Sequence, residues 1–170
     1  LIMPMSLIGK SVRQVYNERA AKARRTNQDV STITLALYRR LLLIGALTMS
    51  FVTFYGDFIF PFVFGQEWVE AGRFARWISL WIVFQLAVSP ISSLFSTLER
   101  QGEALAWNAF LLLSRTVMIV IGLRLFETTE FVIAFYSLAG VLTYLVFAMR
   151  TLSLAGVRLA SSAAAVAMAV

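Results

Sequence analysis

WISLWIVFQLAVSPISSLFSTL, residues Trp77–Leu98, is a run of 22 residues without a charge. A bilayer core of about 30 Å needs about 20 helical residues at ~1.5 Å each. In lipid every backbone N–H and C=O must be bonded within the chain, so such a run must be a helix. Three further stretches read the same way. Phe131–Met149 has no charge, Leu41–Phe64 carries only Asp57, and Ala104–Leu123 carries only Arg115. Spans at about 41–64, 77–98, 104–123 and 131–149 predict an all-α, polytopic membrane helix bundle.

Composition agrees. Hydrophobic residues make up 59% and charged residues 14%, against about 25% charged in an average soluble domain. Four such runs could not be buried by the little polar chain that remains. There is no cysteine and no histidine, which excludes disulfides, thiol chemistry, haem ligation and the usual zinc sites. The acids are scattered, so no metal site and no cofactor are expected. Leu1–Gly9 is apolar but too short to span, and lacks a basic leader and a small-residue cleavage site. It reads as the tail end of a membrane helix whose start is missing, and hence the chain as a fragment of a larger protein.

Charge sets an expected orientation. Lys10, Arg13, Arg19, Lys22, Arg24, Arg25, Arg39 and Arg40 crowd the segment before the first complete span, opposed only by Glu18 and Asp29. Lys and Arg collect in cytoplasmic loops, so residues 1–40 are expected to comprise the end of a truncated helix and a basic amphipathic cytoplasmic linker. Alternation then places Gly65–Arg76 and Arg124–Glu130 outside, with Glu99–Glu103 and Arg150–Arg158 inside, and residues 151–170 form a cytoplasmic or Ala-rich tail. Trp68, Trp77 and Trp81 cluster near the outer boundary, as an aromatic belt does. Within the linker, Val12, Val15, Tyr16, Ala20 and Ala23 recur at helical spacing, Thr26-Asn27-Gln28 breaks the pattern, and Asp29, Ser31 or Thr32 can cap the next helix. The linker cations suit anionic lipid headgroups. A nucleic-acid partner is not expected.

Polar and small residues mark helix faces turned to protein or water. Ser50, Thr53 and Asp57 form one stripe; Gln85, Ser89, Ser92 and Ser96 form another; Asn108, Arg115 and Gly122 recur at steps of seven. Tyr136, Gly140 and Thr143 mark the last span. Pro90 removes a backbone donor and clashes with the carbonyl of Leu86, so it predicts a kink and is the candidate hinge. Ordinary helix packing accounts for many of these Ser, Thr and Gly residues. Arg115 resists that account. It is the twelfth residue of its 20-residue run, roughly 12–17 Å from either surface, and an Arg at mid-span costs about 2.5–3.5 kcal/mol on insertion scales. An acid, a water-filled cavity or an anionic ligand would offset that cost. Asp57 is the only acid inside a span, and it is poorly matched to Arg115 in depth.

PMSLIGKSVRQVY (Pro4–Tyr16) with Ala20 and Ala21, FGQEWVEAG (Phe64–Gly72), SPIS (Ser89–Ser92) and LERQ (Leu98–Gln101) stand in an order and spacing that resembles the O-antigen-type polysaccharide flippases. These belong to the multidrug/oligosaccharidyl-lipid/polysaccharide (MATE-like) exporter superfamily. The resemblance implies a fold of two six-helix lobes around a central cavity. This chain would be a partial C-terminal lobe: Leu1–Arg25 the end of the eighth helix, the four spans the ninth to twelfth, with helix seven and the N-terminal lobe missing. The Ala-rich tail, Leu159–Val170, matches nothing in that pattern.

The implied function is not enzymatic. It is translocation of undecaprenyl-pyrophosphate-linked oligosaccharide across the bacterial inner membrane by alternating access, for polysaccharide and lipopolysaccharide biosynthesis. The implied partners are the missing lobe, the lipid-linked pyrophosphate, and the glycan polymerase and chain-length machinery. Arg115 would hold the pyrophosphate, with Asn108, Gln85, Ser89, Ser92, Ser50, Thr53 and Asp57 as further cavity candidates. Two other classes remain open on the residues. An ion-coupled multidrug exporter would favour buried acids, of which Asp57 alone lies in a span. A membrane-embedded glycan-processing enzyme or a scaffold is the other; acid–base chemistry would need His or paired acids, and Glu67/Glu70 and Glu127/Glu130 read as loop charges.

Overall fold

The computed structural model describes residues 2–26 and 29–157. All of the secondary structure among them is helical: α1 (Ile2–Arg25), α2 (Val30–Phe64), a 3₁₀ turn (Gln66–Trp68), α3 (Val69–Ile91), the single turn α4 (Leu94–Thr97), α5 (Gln101–Leu125) and α6 (Thr129–Leu154). Four helical stretches are long and apolar enough to cross a membrane: α2, residues Gln66–Thr97, α5 and α6. The Ala-rich tail Leu159–Val170 and the Asn27-Gln28 part of the expected break lie outside the described residues.

The helices are longer than the apolar runs that announce them. α2 has 35 residues, about 52 Å at ~1.5 Å each, so its basic first part extends beyond a bilayer core. Asp29 starts it. Its carboxylate accepts the Ser31 backbone N–H at 2.9 Å, the Ser31 hydroxyl at 2.6 Å and the Thr32 hydroxyl at 3.1 Å. These bonds hold the carboxyl below its ordinary pKa, the Ser31 hydroxyl foremost. At the other end Gly65, at φ 108°, turns the chain while its N–H bonds to the Pro61 carbonyl. Only glycine takes that backbone without strain.

α3 begins at Val69, so Arg73 and Arg76 belong to a helix and not to the loop expected over Gly65–Arg76. A long Arg side chain on the first turns of a membrane helix can still reach polar surroundings, so the charges did not have to end it. Pro90 stands at the opposite end. Regular helix stops at Ile91, Ser92 and Ser93 form a turn, and α4 follows. Glu99, at φ 59°, then reverses the chain into α5.

In space the order is α2, α3, α6, α5. α2 runs antiparallel to α3, and α5 antiparallel to α6, while α3 and α6 run parallel and form the centre. Trp81, Phe84, Val88 and Ile91 on α3, and Phe95 on α4, recur at steps of three and four and are buried. Trp81 meets Gly140 and Tyr144 of α6, and Phe95 stacks on Phe147; Ser137, Gly140, Tyr144, Phe147 and Thr151 of α6 are buried and spaced the same way. Two parallel helices meeting on such a seam pack side chain between side chain. α1 braces one end of the bundle. Its Tyr16 hydroxyl lies 2.9 Å from Thr34 Oγ1 on α2, and its Asn17 accepts the Ser93 hydroxyl at 2.6 Å. Burial pushes the Tyr16 phenol above its ordinary pKa, partly countered by that bond to Thr34.

Glycines set how closely the helices approach. A Cβ on Gly72 would stand 2.9 Å from the Gly56 carbonyl carbon and closer still to its oxygen. One on Gly56 would stand 2.8 Å from the Gly72 carbonyl oxygen. α2 and α3 therefore cross backbone on backbone, the close approach that helix association in lipid favours. At the two ends of the order, α2 and α5 present Leu43, Leu47, Phe54, Phe58, Leu112 and Leu123 as exposed apolar surface.

Gly72→Val should part α2 from α3, because its new atoms meet backbone that cannot turn aside. Overpacking costs typically 1–3 kcal/mol, so the unfolding temperature in detergent should fall by about 2–10 °C. Gly102→Ala, where nothing lies within 4 Å, should be neutral or slightly stabilising. Thermal unfolding followed by circular dichroism measures both.

Candidate functional site

α5, α3 and α6 bring Arg115, Trp81 and Tyr144 together near mid-span. The Arg115 guanidinium carbon lies 4.3 Å from the centroid of the Trp81 ring and 5.5 Å from that of Tyr144. The two rings are stacked, with centroids 5.7 Å apart and planes 17° from parallel. Arg115 Nη2 donates to the Tyr144 hydroxyl at 3.1 Å. Trp81 can sit there because Gly140 leaves room: a Cβ on that residue would come 3.0 Å from the indole. Tyr136 meets Trp81 edge to face at 6.2 Å.

Arg115 takes part in none of the ion pairs found among the described residues. Its Nε is buried without a hydrogen-bond partner, as are Trp81 Nε1 and Ser137 Oγ. Among the described residues no acid accounts for its position. Aromatic faces do. A desolvated cation–π contact contributes about 2 kcal/mol, and the hydrogen bond to Tyr144 about 1 kcal/mol more. That offsets an insertion cost of about 2.5–3.5 kcal/mol. The offset leaves the charge in place. A carboxylate would neutralise the guanidinium, whereas ring quadrupoles only hold it, so it can still attract an anion.

The other candidates do not gather around Arg115. Asp57 pairs with Arg76 Nη1 at 2.9 Å, and Arg76 Nε donates to the Thr53 carbonyl at 3.0 Å. Thr53 Oγ1 lies 2.7 Å from Ser79 Oγ, which completes a polar node between α2 and α3. Ser50 donates to the Leu47 carbonyl of its own helix at 2.7 Å. Ser89 accepts Arg13 Nη2 at 3.3 Å, at the α1 end of the bundle, and Ser92 donates to the Ser89 carbonyl at 2.8 Å. Pro90 is buried beside them, and Gln85 is partly buried on α3. Asn108 lies exposed on α5, its amide bonded back to the Ala104 carbonyl at 2.8 Å. The polar stripes thus fall into three places.

Arg76, Trp81 and Tyr144 were not legible as site residues. Arg76 read as a loop charge and Trp81 as part of a surface belt. The available signal was the step of three and four that puts Trp81 on one face with Phe84, Val88 and Ile91. At the α1 end, Glu103 bridges Arg150 at 2.6 Å and Arg100 at 3.4 Å, tying α5 to α6. Comparison with protein-family models, curated proteins and solved structures gives no match.

A double-mutant cycle on Arg115→Met and Trp81→Leu tests the aromatic support. The coupling energy from unfolding in detergent should be about 1–2 kcal/mol and favourable. A value near zero would mean that the rings do not carry the cation.

Proposed function

We propose that this chain is part of one lobe of a MATE-like flippase that moves undecaprenyl-pyrophosphate-linked oligosaccharide across the bacterial inner membrane. The observation that carries the reading is Arg115: a cation near mid-span that, among the described residues, has no acid paired to it and a buried Nε without a partner. A pyrophosphate between lipid and sugar carries charge that hydrocarbon cannot solvate. A fixed guanidinium at that depth lowers the cost of bringing it across, and its planar fork suits phosphate oxygens. The chain would work with a second lobe, and transport would be rocking of the two lobes around the site. The end of regular helix at Ile91, one residue beyond Pro90, supports a bending point in α3.

One observation weighs against a multidrug exporter. Such a protein needs a carboxylate free to meet a cation, and Asp57 is already paired with Arg76.

Arg115→Ala, in the protein assembled with its second lobe, should abolish surface polysaccharide while the membrane level of the protein stays normal. Arg115→Lys should retain part of the activity, since charge survives but the fork and the ring stacking are lost. Full activity of the Ala variant would sink the assignment, and loss of the protein from the membrane would assign Arg115 to folding instead.

The reading also fixes an orientation. Single cysteines at Thr26 and Glu70, in a chain with no cysteine of its own, should react differently with an impermeant thiol reagent in intact cells: Glu70→Cys labels and Thr26→Cys does not. The opposite pattern would invert the topology.

A further inference from the structure

A groove of about 560 Å³ opens between α1 and α2 at the braced end of the bundle. Its floor is apolar, with Val12 and Val15 from α1 and Ile33 and Leu37 from α2. Arg19 and Arg40 line it as well, and no carboxylate does. Both arginines are exposed, and neither belongs to an ion pair found among the described residues. The volume lies within the range of small-ligand sites.

The pairing of α1 with α2 places these groups along the groove. The helices run antiparallel and meet at Tyr16 and Thr34. Arg19 lies beyond Tyr16 in one direction and Arg40 beyond Thr34 in the other, so the cations flank the apolar floor. Arg40 directly precedes the apolar run Leu41–Phe64, which puts it at the edge of the hydrocarbon. The floor does not stop there. Ile33, Leu37, Arg40, Ile44 and Leu47 follow one another at steps of four and three, so they share one face of α2. Ile44 and Leu47 are exposed. A continuous apolar track thus leaves the groove past Arg40 and enters the membrane.

We propose that this groove binds one anionic phospholipid, its acyl chain on the α2 track and its phosphate held by the arginines. Charge selects the ligand: two cations without acids favour a net negative headgroup over a zwitterionic one. The apolar floor separates it from a free phosphate ion, which would gain nothing there. The site is independent of Arg115 and of the transport reading, and requires only that the α1 end face the membrane surface.

The test is lipid retention by the purified, assembled protein in detergent, read by native mass spectrometry with three probes: phosphatidylglycerol, phosphatidylcholine and glycerol phosphate. Phosphatidylglycerol should be retained in preference to the other two. Arg19→Gln and Arg40→Gln should each weaken it about fivefold. Arg39→Gln removes the same charge from the neighbouring position, which lines a different cavity with Asp29 and Gly156, and should leave retention unchanged. These are surface substitutions that do not threaten the fold. Equal weakening by Arg39→Gln would mean diffuse attraction and overturn the site. So would equal binding of glycerol phosphate or of phosphatidylcholine. Ile33→Cys, which lines the groove and not the cavity of Arg39, should react with a membrane-soluble maleimide and be protected by phosphatidylglycerol. A cysteine that never reacts would show that protein covers the groove, and the lipid assignment would fall.

Discussion

The crossing of α2 over α3 at Gly56 and Gly72 is the contact on which the other registers depend. In lipid there is little hydrophobic drive to press helices together, so close van der Waals contact and interhelical hydrogen bonds must do it. The Gly56 carbonyl occupies the space that a Gly72 side chain would need. With that point fixed, antiparallel geometry brings Thr53 opposite Ser79 and Asp57 opposite Arg76. Further along, Gly45 meets Leu86, where a Cβ would come within 3.2 Å. Slide α2 by one turn and the polar node loses its partners together.

The second constraint is the accommodation of charge. Asp57 and Arg76 satisfy one another, each side chain 42% exposed, so the pair adds little to stability but leaves no lone charge. Arg115 is handled differently. Its support comes from Trp81 and Tyr144, which α3 and α6 stack on one another. That arrangement depends on Gly140, and so on the α3–α6 seam. A cation held this way keeps its field, which distinguishes a position able to meet an anion from one consumed by structure.

α1 adds a brace where α3 is weakest. Pro90 ends regular helix at Ile91, and the turn that follows is held from α1 by Asn17 to Ser93 and, one turn earlier, by Arg13 to Ser89. The same helix is fastened to α2 through Tyr16 and Thr34. A bend at this end of α3 would therefore move α1 with it. The groove between α1 and α2 would change shape in the same motion.

Much of the architecture was legible without coordinates. Runs such as Phe131–Met149 can satisfy their backbone in lipid only as helices, so the number of spans follows from composition and length. Asp29 reads as a cap from its place before Ser31 and Thr32, because short-range chemistry is written in neighbouring residues. What lay beyond the sequence was who meets whom. Arg115 announced a cost but not its remedy, since Trp81 and Tyr144 are distant in the chain and reach it only through the parallel packing of α3 and α6. Arg76 looked like a loop charge because helix ends in a membrane depend on whether a partner, here Asp57, waits on the neighbouring helix. Ser, Thr and Asn stripes give a periodicity but not the object faced: Thr53 found Ser79, Asn108 its own backbone. Periodicity is local and survives in one dimension. Pairing depends on the close approach that Gly56 and Gly72 allow, and only the tertiary structure decides it.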